Sequence, residues 1–81
     1  RAVPLLVPRS SVQILEGNPV VFVPEGHGFH AHPVVLGERD GEHVEILSGI
    51  ASGTPVVVRG AFELKAAAVT SSLGSHAGHN H

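Results

Sequence analysis

Cysteine, methionine, tryptophan and tyrosine are all missing from this 81-residue chain. Without cysteine there is no disulfide framework and no thiolate metal site. Without any sulfur, soft ions such as Cu(I) lose their preferred ligands. Three phenylalanines are the whole aromatic content, too few for a surface on which bases stack. Five Lys and Arg against seven Asp and Glu give a net charge of −2. There is no basic patch, and nucleic acid is excluded as a partner. No apolar run approaches the ~18 residues of a membrane-spanning helix. The chain opens on Arg1 without a leader pattern. The expectation is a piece of a longer protein whose targeting signals lie elsewhere.

What remains is rich in Val, Leu, Ile, Ala, Gly and Pro, with 42% hydrophobic residues. That composition favours short β-strands joined by tight turns. "VPLLVP" (residues 3–8) is a proline-bounded apolar run that reads as a strand. Ser10 or Ser11 opens a helical turn after it. Val12–Leu15 and Val20–Pro24 flank "EGNP" and read as a β-hairpin. "FHAHPVVLG" (residues 29–37) is a strand whose internal Pro33 places it at an edge or a bulge. "ERDGE" (residues 38–42) is a hairpin turn around Asp40-Gly41. "HVEIL" (residues 43–47) alternates, with His43 and Glu45 on one face and Val44 and Ile46 on the other. "PVVVRGAF" (residues 55–62) reads as the last strand. After Leu64 no periodic apolar face is visible. The expected fold is therefore all-β: a small barrel-like or sandwich domain of about five or six short strands over residues 1–66. A flexible His-rich tail follows at residues 67–81. At this length only roughly 60% of the unfolded surface is buried, so stability should be marginal.

Chemistry narrows to histidine. No nucleophile elbow joins Ser10 or Ser11 to a histidine, and Glu38, Asp40 and Glu42 sit in a solvated turn. The chain is therefore expected not to be an enzyme. Of seven histidines, six fall into two clusters with the spacing H-x-x-H-x-H. These are His27, His30 and His32 in "HGFHAH", and His76, His79 and His81 in "HAGHNH". In a strand, residues i and i+2 share a face at roughly 6.5–7 Å. That lets His30 and His32 converge on one ion, with His27 as a third nitrogen from the preceding turn. Three imidazoles and a water form a known open zinc arrangement. The competing reading is that these are solvated strand side chains. The terminal cluster is metal-binding by composition, at the entropic cost of ordering a tail. Zn²⁺ is the expected ion, with Co²⁺, Ni²⁺ or Cd²⁺ as alternatives that imidazole also accepts. Free imidazole titrates near ~6.5, so binding should weaken as pH falls below about 6.

A resemblance adds to this reading. "VPRSSV" (residues 7–12), "VFV" (residues 21–23) followed by Phe29, "VVLGERDGEHVEILSGI" (residues 34–50) and "GTPVVVRGAFELK" (residues 53–65) occur in this order. Together they give V-x-x-G, then V-E-I-x-x-G, then G-x-x-V-V-x-x-G. The chain resembles, over about residues 3–66, the C-terminal part of periplasmic adaptor (membrane fusion) proteins. It is most similar to those of heavy-metal efflux pumps of the resistance-nodulation-division class, including the cobalt–zinc–cadmium type. Those often end in a His-rich tail, which "SHAGHNH" is similar to. The resemblance implies a periplasmic, membrane-proximal β domain that docks on the inner-membrane pump. Other domains of such a parent chain reach toward the outer-membrane channel. It also implies an unpaired sheet edge, because the domain in this family takes a strand from near the parent's N-terminus. The rival reading is a free-standing periplasmic zinc- or nickel-binding chaperone or buffer.

Overall fold

The computed structural model describes residues 5–68. Six strands form in chain order: β1 (Leu5–Pro8), β2 (Gln13–Leu15), β3 (Asn18–Glu25), β4 (Gly28–Pro33), β5 (Val35–Arg39) and β6 (His43–Ser48). Helix α1 follows at residues 61–68. The strands make two three-stranded antiparallel sheets, ordered β1-β6-β5 and β2-β3-β4. The domain is all-β with one short helix, as a small sandwich. No closed barrel is formed among the described residues.

The turns follow from local chemistry. Leu15 pairs with Asn18, and between them Glu16 (φ 54°) and Gly17 (φ 84°) both have positive φ. That is the type I′ pattern, whose twist matches the flanking strands. At the other charged turn, Asp40 Oδ1 accepts from the backbone N–H groups of Glu42 and His43, each at 2.8 Å. This Asx geometry fixes the β5–β6 connection that Asp40-Gly41 predicts. Between β1 and β2 a single 3-10 turn, Arg9–Ser11, turns the chain from one sheet to the other. Ser11 is fully buried there, and its hydroxyl donates to the Pro8 carbonyl at 2.7 Å. Its role is to satisfy a buried corner.

The core has two compartments. Val7 from β1, Val44 and Ile46 from β6, Val34, and Val21 and Val23 from β3 fill the space between the sheets. The register explains the choice: Val7 lies opposite Val44, and Leu5 opposite Ile46. Directly paired residues share a face, so the alternation in "HVEIL" buries Val44 and Ile46 while His43 stays exposed. On the other side of β3, Val20 and Phe22 pack with Ala61 of α1, with Val57 and Leu64 alongside. The molecule is therefore three layers: sheet, sheet, helix.

Pro33 ends β4, and β4 is an edge strand, where a missing N–H is tolerated. From Leu36 to Arg39, β5 takes three steps against the two from Ile46 to Val44. Such a bulge twists an edge strand and discourages further pairing.

Residues 55–62 differ from the expected last strand. The segment makes one ladder-like bond, from Val57 N–H to the Phe22 carbonyl at 2.9 Å. Pro55 has no N–H to give, and Gly60 (φ 84°) turns the chain into α1. Too little length remains for a ladder. Val56 still packs toward the inter-sheet core and Val57 toward the helix-side core, so β-branched residues are selected without a strand. The helix begins at Ala61, inside the stretch expected to be strand, and includes residues 67–68 of the expected tail. Its least exposed residues are Ala61, Leu64, Lys65 and Ala68, which is helical spacing. Residues 69–81 lie outside the described residues.

Gly49, at φ 115°, is where the chain leaves β6 and passes the β4–β5 junction. A Cβ there would strike the Pro33 carbonyl oxygen and stand 2.9 Å from Val34 Cα. Both obstacles are backbone. Gly53 (φ 87°) has open space around the same position. Gly49→Ala should lower unfolding free energy by about 2–4 kcal/mol, through strain plus overlap. Gly53→Ala should cost only about 1 kcal/mol. Urea denaturation of both variants checks the order, and equal losses would contradict it.

Candidate metal-handling site

The β3–β4 hairpin carries the mid-chain histidines. Glu25 and Gly28 are its last pair, with Gly26 at φ 60° in the turn. His30 lies opposite Val23 and His32 opposite Val21. Side chains alternate along each strand and paired residues share a face. Glu25, Gly28, His30 and His32 are therefore on one face of the hairpin. His30 and His32 share that face as their spacing predicts.

The sequence reading missed Glu25. Its carboxylate reaches both rings: Oε2 is 2.7 Å from His32 Nε2, and Oε1 is 3.5 Å from His30 Nδ1. The signal lay in the hairpin itself, because a tight turn after Glu25 folds residues 30 and 32 back beside it. His27 is in the turn and exposed. It is not brought to this group, and among the described residues its ring makes no ion pair or hydrogen bond. The expected trio of His27, His30 and His32 is therefore assembled only as a pair. Among the described residues, no group of three or more His, Cys, Asp or Glu could hold a metal ion. The 2.7 Å contact between Glu25 and His32 is a hydrogen bond. It is shorter than the ~3.3 Å that separates two ligands of a tetrahedral ion at ~2.0–2.1 Å. His76, His79 and His81 lie outside the described residues.

Other polar groups among the described residues hold the β5–β6 end of the fold or stay exposed. His43 is exposed on the outer face of β6, opposite Pro8. Beside it, Glu45 Oε1 accepts from the Glu38 backbone N–H at 3.4 Å. Arg9 ties the β5–β6 turn to β1, through its N–H to the Glu42 carbonyl at 2.9 Å and its guanidinium to the Asp40 carbonyl at 3.2 Å. Within the described residues no helix is long and apolar enough to cross a membrane.

Among the described residues, Asp40 is the one group whose titration is clearly displaced. The backbone N–H groups of His43 and then Glu42 donate to its carboxylate and hold it below its ordinary value of 3.8. A lowered folded value means the stabilisation is complete above about pH 3.8 and is lost as pH falls through the folded value. The stability advantage of the native chain over Asp40→Ala should therefore shrink on acidification below pH 4. Paired urea titrations at pH 6 and pH 3 measure this, and an advantage that grows in acid would contradict it.

Known proteins share this pattern. The family model of the CzcB C-terminal circularly permuted SH3-like domain matches residues 5–65. The nickel and cobalt resistance protein CnrB of Cupriavidus metallidurans is 45% identical over 65 residues, covering 80% of this chain and 16% of that protein. The nickel-cobalt-cadmium resistance protein NccB of Alcaligenes xylosoxydans xylosoxydans is 45% identical over 60 residues, covering 74% of this chain and 15% of its own length. The cobalt-zinc-cadmium resistance protein CzcB of Cupriavidus metallidurans is 38% identical over 64 residues, covering 79% and 12%. The chain thus spans less than a fifth of the length of these relatives. No solved structure matches it. The match reaches from β1 into α1 and takes in both sheets, so this chain belongs to the family of CzcB C-terminal circularly permuted SH3-like domains.

Proposed function

We propose that this chain is the non-catalytic, membrane-proximal adaptor domain of a heavy-metal cation efflux system. It works in the periplasm beside the inner membrane and docks on a pump of the resistance-nodulation-division class. Other parts of its parent chain engage the outer-membrane channel. The observation that carries this reading is the match over residues 5–65 to one segment of longer metal-resistance proteins. A segment of that kind favours the adaptor over a free-standing metal buffer. The structure supports a scaffold role: its buried polar serine is satisfied internally, and its glycines serve turns and close backbone approaches.

Metal handling belongs to the same proposal. His76, His79 and His81 form a short polar tract that follows the matched segment. Neutral imidazole nitrogens without sulfur suit Zn²⁺, with Co²⁺, Ni²⁺ and Cd²⁺ as further cargo. The names of the relatives specify resistance to nickel, cobalt, cadmium and zinc.

Two experiments test the two halves. Residues 5–65 grafted in place of the matching segment of CnrB should preserve nickel and cobalt resistance in a host that depends on that protein. A folded, normally expressed chimera without resistance would refute the adaptor reading. In a Zn²⁺ titration followed by NMR, the tail imidazoles of the 81-residue chain should shift. His76→Ala/His79→Ala/His81→Ala should weaken binding at that tract by at least tenfold. An unchanged isotherm would remove the tail from the account.

A further inference from the structure

Charge is not spread evenly along this chain. Six of its seven carboxylates fall between Glu16 and Glu45. Beyond Glu45 there are two cations, Arg59 and Lys65, and one carboxylate, Glu63. Between those cations in the sequence stands Phe62, which at 64% is the most exposed large apolar side chain among the described residues. We propose that the corner formed by Val58, Arg59, Phe62 and Lys65 is a contact surface for an anionic lipid bilayer. The inference rests on the adaptor reading above, which sets the domain beside the inner membrane, and it names the side turned to the lipid.

Three observations carry it. The first is packing. Val56 faces the inter-sheet core and Val57 the helix-side core, whereas Val58 is 47% exposed. The corner is held at both ends by backbone bonds, from Val57 N–H to the Phe22 carbonyl at 2.9 Å and from Leu64 N–H to the Gly60 carbonyl at 3.0 Å. The second is the helix face. The packed side of α1 is Ala61, Leu64, Lys65 and Ala68, which leaves Phe62, Glu63 and Ala66 exposed. Phe62 belongs to neither core, so covering β3 does not account for it. The third is charge. Arg59 is exposed and Lys65 half-buried, and among the described residues neither makes an ion pair.

A bilayer interface answers these features together. Phenylalanine beside cations is the composition of surfaces that lie at the boundary between headgroups and acyl chains. The stems of Arg59 and Lys65 can lie along apolar surface while their charged ends reach phosphate. The guanidinium offers two N–H groups to one phosphate. A fluid interface accepts a projecting corner without a preformed pocket. The carboxylates at the β5–β6 end, Glu38, Asp40, Glu42 and Glu45, are repelled by the same surface. The separation of charge therefore orients the domain with α1 toward the lipid. Each cation strengthens adsorption to an anionic surface about fivefold. Two of them give weak, reversible contact, which becomes effective when a parent chain already holds the domain at the membrane.

The test uses the 81-residue chain at about pH 8, where histidine is neutral. Vesicles of phosphatidylethanolamine with phosphatidylglycerol are compared with vesicles of phosphatidylcholine, at low salt. Co-sedimentation measures binding, and a spin-labelled lipid in the vesicles reports by NMR which amides approach the surface. The proposal expects binding to the anionic vesicles in the millimolar lipid range and little to the neutral ones. Amides of residues 58–66 should broaden before those of the β5–β6 turn. Arg59→Glu should weaken binding at least tenfold, and Phe62→Ser about fivefold. Glu63→Gln should strengthen it. Arg39→Glu makes the same change in net charge at the other end and should stay within about twofold. Backbone NMR spectra of each variant confirm that the fold persists. The proposal is overturned if anionic vesicles bind no better than neutral ones, if Arg39→Glu weakens binding as much as Arg59→Glu, or if Phe62→Ser binds as well as its parent. Self-association without lipid that Phe62→Ser abolishes would assign the corner to a second copy and overturn it too. The CnrB chimera needs no vesicles, so the two readings fail separately. Resistance retained without vesicle binding defeats this surface alone, and vesicle binding without resistance defeats the adaptor reading alone.

Discussion

The burial of β3 on both faces is the constraint on which the rest of the domain depends. Val20, Val21, Phe22 and Val23 are four consecutive buried residues. Val21 and Val23 point into the space between the sheets, and Val20 and Phe22 point toward α1. A strand with one wet face would read as an alternation, whereas this one is a continuous apolar run. Its register is correspondingly strict. A slip of one residue would exchange the two sets and drive Phe22 into a compartment lined by valine and isoleucine. The neighbouring segments are anchored to the same strand. Val34 N–H donates to the Pro19 carbonyl at 3.0 Å, and Val57 N–H donates to the Phe22 carbonyl at 2.9 Å. Each of these bonds marks a point where the chain passes from one layer to another.

The hairpin geometry is a consequence of that strict register. Because β3 is held on both faces, β4 can lie against it in only one alignment, and this alignment faces Glu25 toward His30 and His32. The edge position of β4 leaves the group open to solvent while its backbone stays fixed. The family match covers the strands and the start of α1, which are the parts that packing dictates.

Much of this was legible in the sequence because the signals were local. The hairpin around residues 16–19, the Asp40-Gly41 turn and the inward Val44 and Ile46 each follow from residue type and spacing over a few positions, whereas the single strand expected over residues 29–37 divides after Pro33 into β4 and β5 of different sheets. The tract 55–62 misled because three consecutive valines report burial, and here burial comes without a ladder. Val56 and Val57 fill opposite cores from a segment that β3 can bond only once. The helix was missed because its inward face, Ala61, Leu64, Lys65 and Ala68, includes only one large apolar residue. Ala61, Leu64 and Ala68 have helical spacing but carry little hydrophobic contrast against their neighbours. Glu25 was invisible for a different reason. It is seven residues from His32, and their contact exists only once the hairpin register is known.

Native-state hydrogen exchange tests the central claim most directly. If the double burial of β3 holds the domain together, the ladder amides of β3 exchange only by global unfolding. Their exchange free energies then equal the unfolding free energy from urea and respond fully to denaturant. If instead those amides open locally, with lower free energies than the β6 ladder and little denaturant dependence, the domain is organised around β1-β6-β5. The account of β3 would then be wrong.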